Sequence, residues 1–254
     1  HLEDRTRATE AKTIFLSRMS HEIRTPMNAI LGITSLTKQA TDDEKVLGNL
    51  DKIEGASKLL LSILNDVLDM SAIENGKLKI GKEAFHLETA LTPAVELYET
   101  LCAKQGIAYT VKYEEEVPEL LLGDALRLNQ ILNNLLSNAF KFTEAGGTVN
   151  LMIRPVERAK GTVHIRFEVQ DTGCGMSEDM KQRIFQSFEQ ESAKTAFSHG
   201  GSGLGMAITK NLTELMNGTI QVESKKGEGT AFTVQIPFEV AENEADVQID
   251  RIDG

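Results

Sequence analysis

Residues 60–80 read Leu60-Leu61-Ser62-Ile63-Leu64-Asn65-Asp66-Val67-Leu68-Asp69-Met70-Ser71-Ala72-Ile73-Glu74-Asn75-Gly76-Lys77-Leu78-Lys79-Ile80, and the periodicity changes inside this stretch. Before Asn75-Gly76 the apolar residues return every three or four positions, the spacing of an amphipathic helix. Asn-Gly is a helix-ending signal, and beyond it the runs become short and alternating, as in strands. The change divides the chain into an all-helical part and an α+β part.

Upstream, Val46, Leu50, Ile53, Leu60, Ile63, Leu64, Val67 and Leu68 extend the same stripe backwards. Thr41-Asp42-Asp43-Glu44 supplies a turn with N-cap chemistry. Before that turn, Ile14, Phe15, Met19, Ile23, Ala29, Ile30, Ile33 and Leu36 form another stripe from about residue 3 to 40. Two long helices joined by a short loop predict an antiparallel hairpin. A lone hairpin leaves one apolar face uncovered, so a homodimer closing into a four-helix bundle is expected.

Downstream, strands are expected at 78–85, 107–113, 148–155, 163–169, 219–224 and 230–237, with helices at 87–105, 124–142, 178–187 and 204–217. Lys225-Lys226-Gly227-Glu228-Gly229 reads as the turn of the closing hairpin. The expected fold is therefore α+β: a helical hairpin over 1–76, an α/β layer domain over 77–240, and an acidic linker over 241–254.

The composition agrees with a folded chain. Of 254 residues 41 % are hydrophobic and 26 % charged, with five prolines, which excludes a disordered or low-complexity chain. Net charge is −11, with residues 239–254 alone holding six carboxylates against Arg251. That balance argues against nucleic acid as a general partner. Two cysteines, Cys102 and Cys174, are too few for a disulfide framework. No signal peptide or long apolar run is read, and a start at His1 within helical sequence reads as a piece of something longer.

Chemistry concentrates in five places. On the first helix, His21, Arg24, Thr25 and Asn28 share a face, beside Glu22 and a mid-helix Pro26. Pro26 cannot donate to the Glu22 carbonyl, at a cost of about 3 kcal/mol in an ordinary helix. A neutral imidazole with a carboxylate neighbour is a plausible nucleophile, although an exposed histidine on a solvated face is the plainer reading of those two residues alone.

Asn134, Asn138 and Lys141 lie on one side of a helix that is leucine-rich on the other. Amide oxygens suit Mg²⁺ and an ammonium suits phosphate. The strand ending at Asp171 runs into Thr172-Gly173-Cys174-Gly175, where a carboxylate can accept from an exocyclic amino group such as that of adenine. Gly200-Gly201-Ser202-Gly203-Leu204-Gly205 opens a helix, a place for phosphate. Between these loops come Phe185 and Phe188, which suit either a core or a base contact, and a polar stretch over 189–199 that reads as a lid.

In this order and spacing the blocks resemble the transmitter core of two-component sensor histidine kinases, especially the hybrid type. The phosphoacceptor box is His21 to Pro26, the N box Asn134 to Thr143, the G1 box Asp171 to Gly175, the F box Phe185 to Phe188, and the G2 box Gly201 to Gly205. The resemblance implies a dimerisation and phosphotransfer hairpin followed by a Bergerat-type ATP-binding domain. It implies that His21 takes the γ-phosphoryl of ATP and that Glu22 acts as base and orienter. Asn138 would hold Mg²⁺, Lys141 touch phosphate and Asp171 read adenine. Asn134, Phe142, Gly173, Gly175, Gly201, Ser202, Gly203, Leu204 and Gly205 match further nucleotide positions, and Thr25 matches the residue that orients water in phosphatase activity.

The partners so implied are a second copy, an upstream sensor domain and a response-regulator receiver in the same or another chain. The chain would be the cytoplasmic portion of a sensor, with membrane anchoring of the full-length protein left open, and the acidic end hints at a receiver beyond Gly254. A hinge is expected near 71–79. Two positions depart from the family pattern: Phe197 stands where hybrid lids often carry arginine, with Lys194 nearby, and Ser202 replaces threonine. Competing readings are a superfamily ATPase and a nucleotide-binding pseudokinase. Those ATPases place a water-activating glutamate where this chain has Asn134.

Overall fold

The computed structural model describes residues 2–114, 117–187 and 203–241. They form two compact units: among the described residues the first holds 2–78 with 203–205, and the second holds the rest.

The first unit is the expected hairpin, α1 (Leu2–Gln39) and α2 (Glu44–Glu74). Asp43 caps α2, its carboxylate accepting the N–H groups of Lys45 and Val46 at 2.9 and 3.2 Å, which satisfies donors that no helix carbonyl can reach. Near the loop, the ammonium of Lys38 pairs with Asp51 at 2.6 Å and with Glu54, which also pairs with Lys58. At the other end Asn75 closes α2, and Gly76 takes a left-handed φ of 62°.

The stripe of large apolar residues is only partly covered within the hairpin. Among the described side chains the buried hairpin residues are Ser20, Met27, Thr34, Ser57 and Ser71, spaced by seven or fourteen along each helix. Phe15, Ile33 and Leu36 remain 62, 65 and 66 % exposed. Small side chains let two helices approach closely, and the seven-residue spacing keeps the contact on one seam.

The second unit contains β1 (Glu83–His86), α3 (Leu87–Gln105), β2 (Ala108–Tyr113), β3 (Leu120–Gly123), α4 (Ala125–Phe142), β4 (Thr148–Ala159), β5 (Thr162–Asp171), α5 (Glu178–Arg183), α6 (Gly205–Leu215), β6 (Thr219–Lys225) and β7 (Gly229–Val240). The strands form one sheet in the order β1-β3-β7-β5-β4-β2, with β6 pairing β7 beside its first half. Among the described residues only β2 and β4 run parallel, and every other pairing is antiparallel.

Alternate residues of β4, β5 and β7 are buried: Val149, Leu151 and Ile153; Val163, Ile165, Phe167 and Val169; Phe232, Val234, Ile236 and Phe238. Facing them are Leu87 and Leu91 of α3 and Leu128, Ile131, Leu132, Leu135 and Leu136 of α4. Intervening strand residues stay partly exposed. This is a two-layer fold with helices on one side of a mixed sheet.

Three expectations change. The strand expected at 78–85 begins only at Glu83, because the Gly81 N–H donates to the Asp124 carboxylate at 2.8 Å instead of entering a ladder. Strand β3, four residues long, went unread in the sequence. The helix expected over 178–187 ends at Arg183.

Candidate nucleotide and phosphoacceptor sites

In the hairpin, Ser20 is 1 % exposed and faces the seam, which directs its neighbour His21 outward. Helix α1 continues through Pro26. The Thr25 hydroxyl donates to the His21 carbonyl at 3.2 Å, keeping that hydroxyl one turn from the imidazole's own backbone. Glu22 lies 3.9 Å from Arg18, an exposed pair four residues apart. Arg24 reaches across to α2, where its guanidinium donates to the Asn65 side-chain oxygen at 3.0 Å. Asn65 was not singled out from the sequence, because nothing local marks a cross-helix partner.

In the second unit α4 brings two loops together. Its apolar side is buried, while Asn134, Asn138 and Lys141 are half-buried on another side and Phe142 is 36 % exposed. The Phe142 carbonyl accepts the Cys174 N–H at 3.3 Å, so the turn after β5 lies against the end of α4. A Cβ on Gly173 would stand 2.3 Å from that carbonyl oxygen. The close approach leaves room only for glycine.

Asp171, 7 % exposed, ends β5. Its carboxylate accepts the Gly173 N–H at 2.8 Å. Burial raises the Asp171 pKa above the ordinary 3.8, and hydrogen bonds from the Gly173 and Thr230 backbones pull the other way. Thr172 ties the turn to β4: its hydroxyl accepts the Thr148 N–H at 2.8 Å, and its own N–H donates to the Thr148 carbonyl at 3.1 Å. On the far side, the Gly227 N–H donates to the Cys174 carbonyl at 2.7 Å. Gly175 has φ 62°, and a Cβ there would lie 2.0 Å from the Lys225 carbonyl oxygen. The turn is thus held between α4 and the β6–β7 hairpin, and Gly175 serves that contact.

Gly203 has φ 69°, Leu204 is buried, and Gly205 opens α6. Gly201, Ser202, Phe188, the stretch 189–199 with Lys194 and Phe197, and the tail from 242 lie outside the described residues. Phe185 packs edge-on against Phe232 of β7, ring centroids 6.3 Å apart, a packing role. Asn134 donates its side-chain N–H to the hydroxyl of Thr209, a fully buried residue of α6, at 3.0 Å. Thr209 was also not singled out; from the sequence it is one more residue of an amphipathic helix.

Asp171, α4 and the glycine-opened α6 all fall within the residues matched by one ATPase family. The family described as histidine kinase-, DNA gyrase B-, and HSP90-like ATPase matches residues 123–240, and the His Kinase A (phospho-acceptor) domain matches residues 11–76. The chain belongs to the sensor histidine kinases of two-component signalling.

Among its relatives is the autoinducer 2 sensor kinase/phosphatase LuxQ of Vibrio parahaemolyticus, 38 % identical over 91 % of this chain and 27 % of that protein. The signal transduction histidine-protein kinase BarA of Escherichia coli is 37 % identical over 93 % of this chain and 26 % of that protein. The chain therefore spans about a quarter of the length of these curated relatives. Full-length ShkA, solved in complex with AMPPNP, superposes with TM-score 0.70 at 31 % identity, covering 90 % of this chain and 46 % of that one.

Proposed function

We propose that this chain is the kinase core of a two-component sensor, in which the γ-phosphoryl of ATP moves to His21 and then to an aspartate of a receiver domain. Residues 1–76 act as the dimerisation and phosphotransfer domain, 77–240 as the ATP-binding domain, and 241–254 as an acidic linker. A neutral His21 nitrogen attacks the γ-phosphorus, an N–P bond forms, the bridging P–O bond breaks, and ADP leaves. Glu22 orients the imidazole and takes its proton. Thr25, a turn further on, positions water when the receiver is dephosphorylated.

On the nucleotide, Asp171 accepts from the adenine amino group, Lys141 and the start of α6 from Gly203 to Gly205 meet phosphate, and Asn134 and Phe142 complete the wall. Gly173 lets the backbone pass close to the end of α4, and Gly175, Gly201 and Ser202 belong to the same two loops. Among the described residues no group of His, Cys, Asp and Glu could hold a metal alone. Mg²⁺ takes few protein ligands and the rest from water and phosphate. The Asn138 amide oxygen is the protein ligand this site offers. When bound, the ion neutralises phosphate charge.

Phosphoryl transfer depends mainly on positioning and charge neutralisation. His21 lies in one unit and α4 with the Asp171 turn in the other, so residues 71–79 act as the hinge through which a signal entering α1 gates the reaction. The full-length protein carries a sensor domain upstream, and this portion works in the cytoplasm as a homodimer, with a receiver in the same or another chain. No helix among the described residues is long and apolar enough to cross a membrane.

The observation that carries the reading is that one helix, α4, touches both the Asp171 turn and α6. The test is incubation with radiolabelled Mg-ATP. Label that is acid-labile, alkali-stable and absent from His21→Gln is expected. Hydrolysis without label would instead favour an ATPase, and nucleotide binding with neither would favour a pseudokinase.

A further inference from the structure

The hydrogen bond from Asn134 to Thr209 joins the two helices on which the nucleotide site is built. Asn134 lies one turn before Asn138 on α4, and Thr209 lies one turn past Gly205, where α6 opens. The bond is 3.0 Å long, and Thr209 is fully buried. The Thr209 carbonyl is engaged as well, accepting the Thr213 hydroxyl at 2.7 Å.

The donor in this bond is the amide nitrogen of Asn134. A carboxamide has a donating end and an accepting end, and holding the first sets the direction of the second. Helical threonines in this chain spend their hydroxyl proton on the carbonyl four residues back, as Thr34 does on Ile30 and Thr213 on Thr209, both at 2.7 Å. A threonine hydroxyl used that way has only lone pairs left for a neighbour, so it selects the amide's nitrogen. The bond therefore fixes two things: the orientation of the Asn134 amide, and the spacing between α4 and α6.

We propose that Thr209 is a positioning residue for phosphoryl transfer, holding the Asn134 amide by its nitrogen so that its carbonyl oxygen is the end presented to the phosphate region. The proposal rests on the nucleotide site described under Proposed function. An amide oxygen accepts hydrogen bonds but does not take a proton near neutral pH. At this position the held amide offers water an acceptor without a base, which keeps the γ-phosphoryl for His21.

The test compares the chain with Thr209→Val, which keeps shape and loses the hydroxyl, and Thr209→Ser, which keeps the hydroxyl. Valine should lower the initial rate of His21 labelling about tenfold, with affinity for Mg-AMPPNP changed less than about threefold, and serine should restore the rate to within about twofold. Equal rates for valine and the parent would overturn the proposal. So would a parallel loss of rate and affinity in both variants, the pattern of a merely structural residue.

A second readout does not need activity or a folded valine variant. In ¹⁵N-labelled parent protein the Asn134 side-chain amide protons should exchange slowly with solvent and shift in Thr209→Ser. Rapid exchange would overturn the proposal. Failure of the parent to label His21 would count against the kinase reading, while the amide signals would still decide the Asn134–Thr209 bond.

Discussion

The Asp171 carboxylate accepts the Gly173 N–H at 2.8 Å, two residues along the same turn, while the Gly173 backbone passes directly beside the carbonyl of Phe142. One carboxylate thus shapes the turn by which the end of β5 is fitted to the end of α4. The same carboxylate is the proposed adenine contact, and burial raises its pKa above 3.8. A group that holds its proton more tightly when folded adds stability below its unfolded pKa and loses that contribution as pH rises through the folded value.

Nucleotide binding should run the opposite way, because only the ionised carboxylate is purely an acceptor. Affinity for a fluorescent ADP analogue should fall on acidification, beginning at a higher pH than for an ordinary carboxylate. Asp171→Asn keeps an oxygen for Gly173 and should fold, yet lose about tenfold or more in affinity because an amino group now faces an amino group. An asparagine variant that binds as tightly as the parent would remove Asp171 from base recognition.

The hairpin carries its own pH signature. Hydrogen bonds and charge from Lys38 and Lys58 hold the Glu54 carboxyl down to about 2 from the usual 4.5. A lowered carboxylate pKa contributes stability above the unfolded value and loses it as pH falls through the folded one. Thermal stability of the hairpin, followed by circular dichroism, should therefore fall between pH 4.5 and about 2. Glu54→Gln should flatten that dependence, and salt should reduce it, since the network is solvent-facing. An identical pH profile in the glutamine variant would show that the network does not contribute.

Exposure of Phe15, Ile33 and Leu36 on α1 gives the proposed dimer a direct test. Burying such side chains against a second copy contributes about 1.5–3 kcal/mol each. The double change Ile33→Asp and Leu36→Glu should leave helix content nearly unchanged, since neither residue packs into the α1–α2 seam, but convert the chain to monomer in sedimentation. A dimer of unaltered strength would place the interface elsewhere.

Much of this architecture was readable in advance. The three-and-four spacing of apolar residues, the capping turn at Thr41–Glu44 and the Asn75-Gly76 stop lie close to the observed ends of the two helices. Strict alternation in β4, β5 and β7 marks the sheet, and both α4 and the Asp171 turn stand where their motifs lie. These signals are local: a helix period or a strand period is written within a dozen residues.

What tertiary structure alone decided are the partners. Phe15, Ile30, Ile33 and Leu36 of the α1 stripe turned out to be exposed, while the buried seam holds Ser20, Met27, Thr34, Ser57 and Ser71. The first strand is shortened because Asp124, 43 residues away from Gly81, takes an N–H that a ladder would have used. Thr209 meets Asn134 across 75 residues of chain. Periodicity determines which side chains share a face, but which face meets which depends on closeness between distant segments, and that is settled only when the packed layers exclude water and each buried polar group must find its partner.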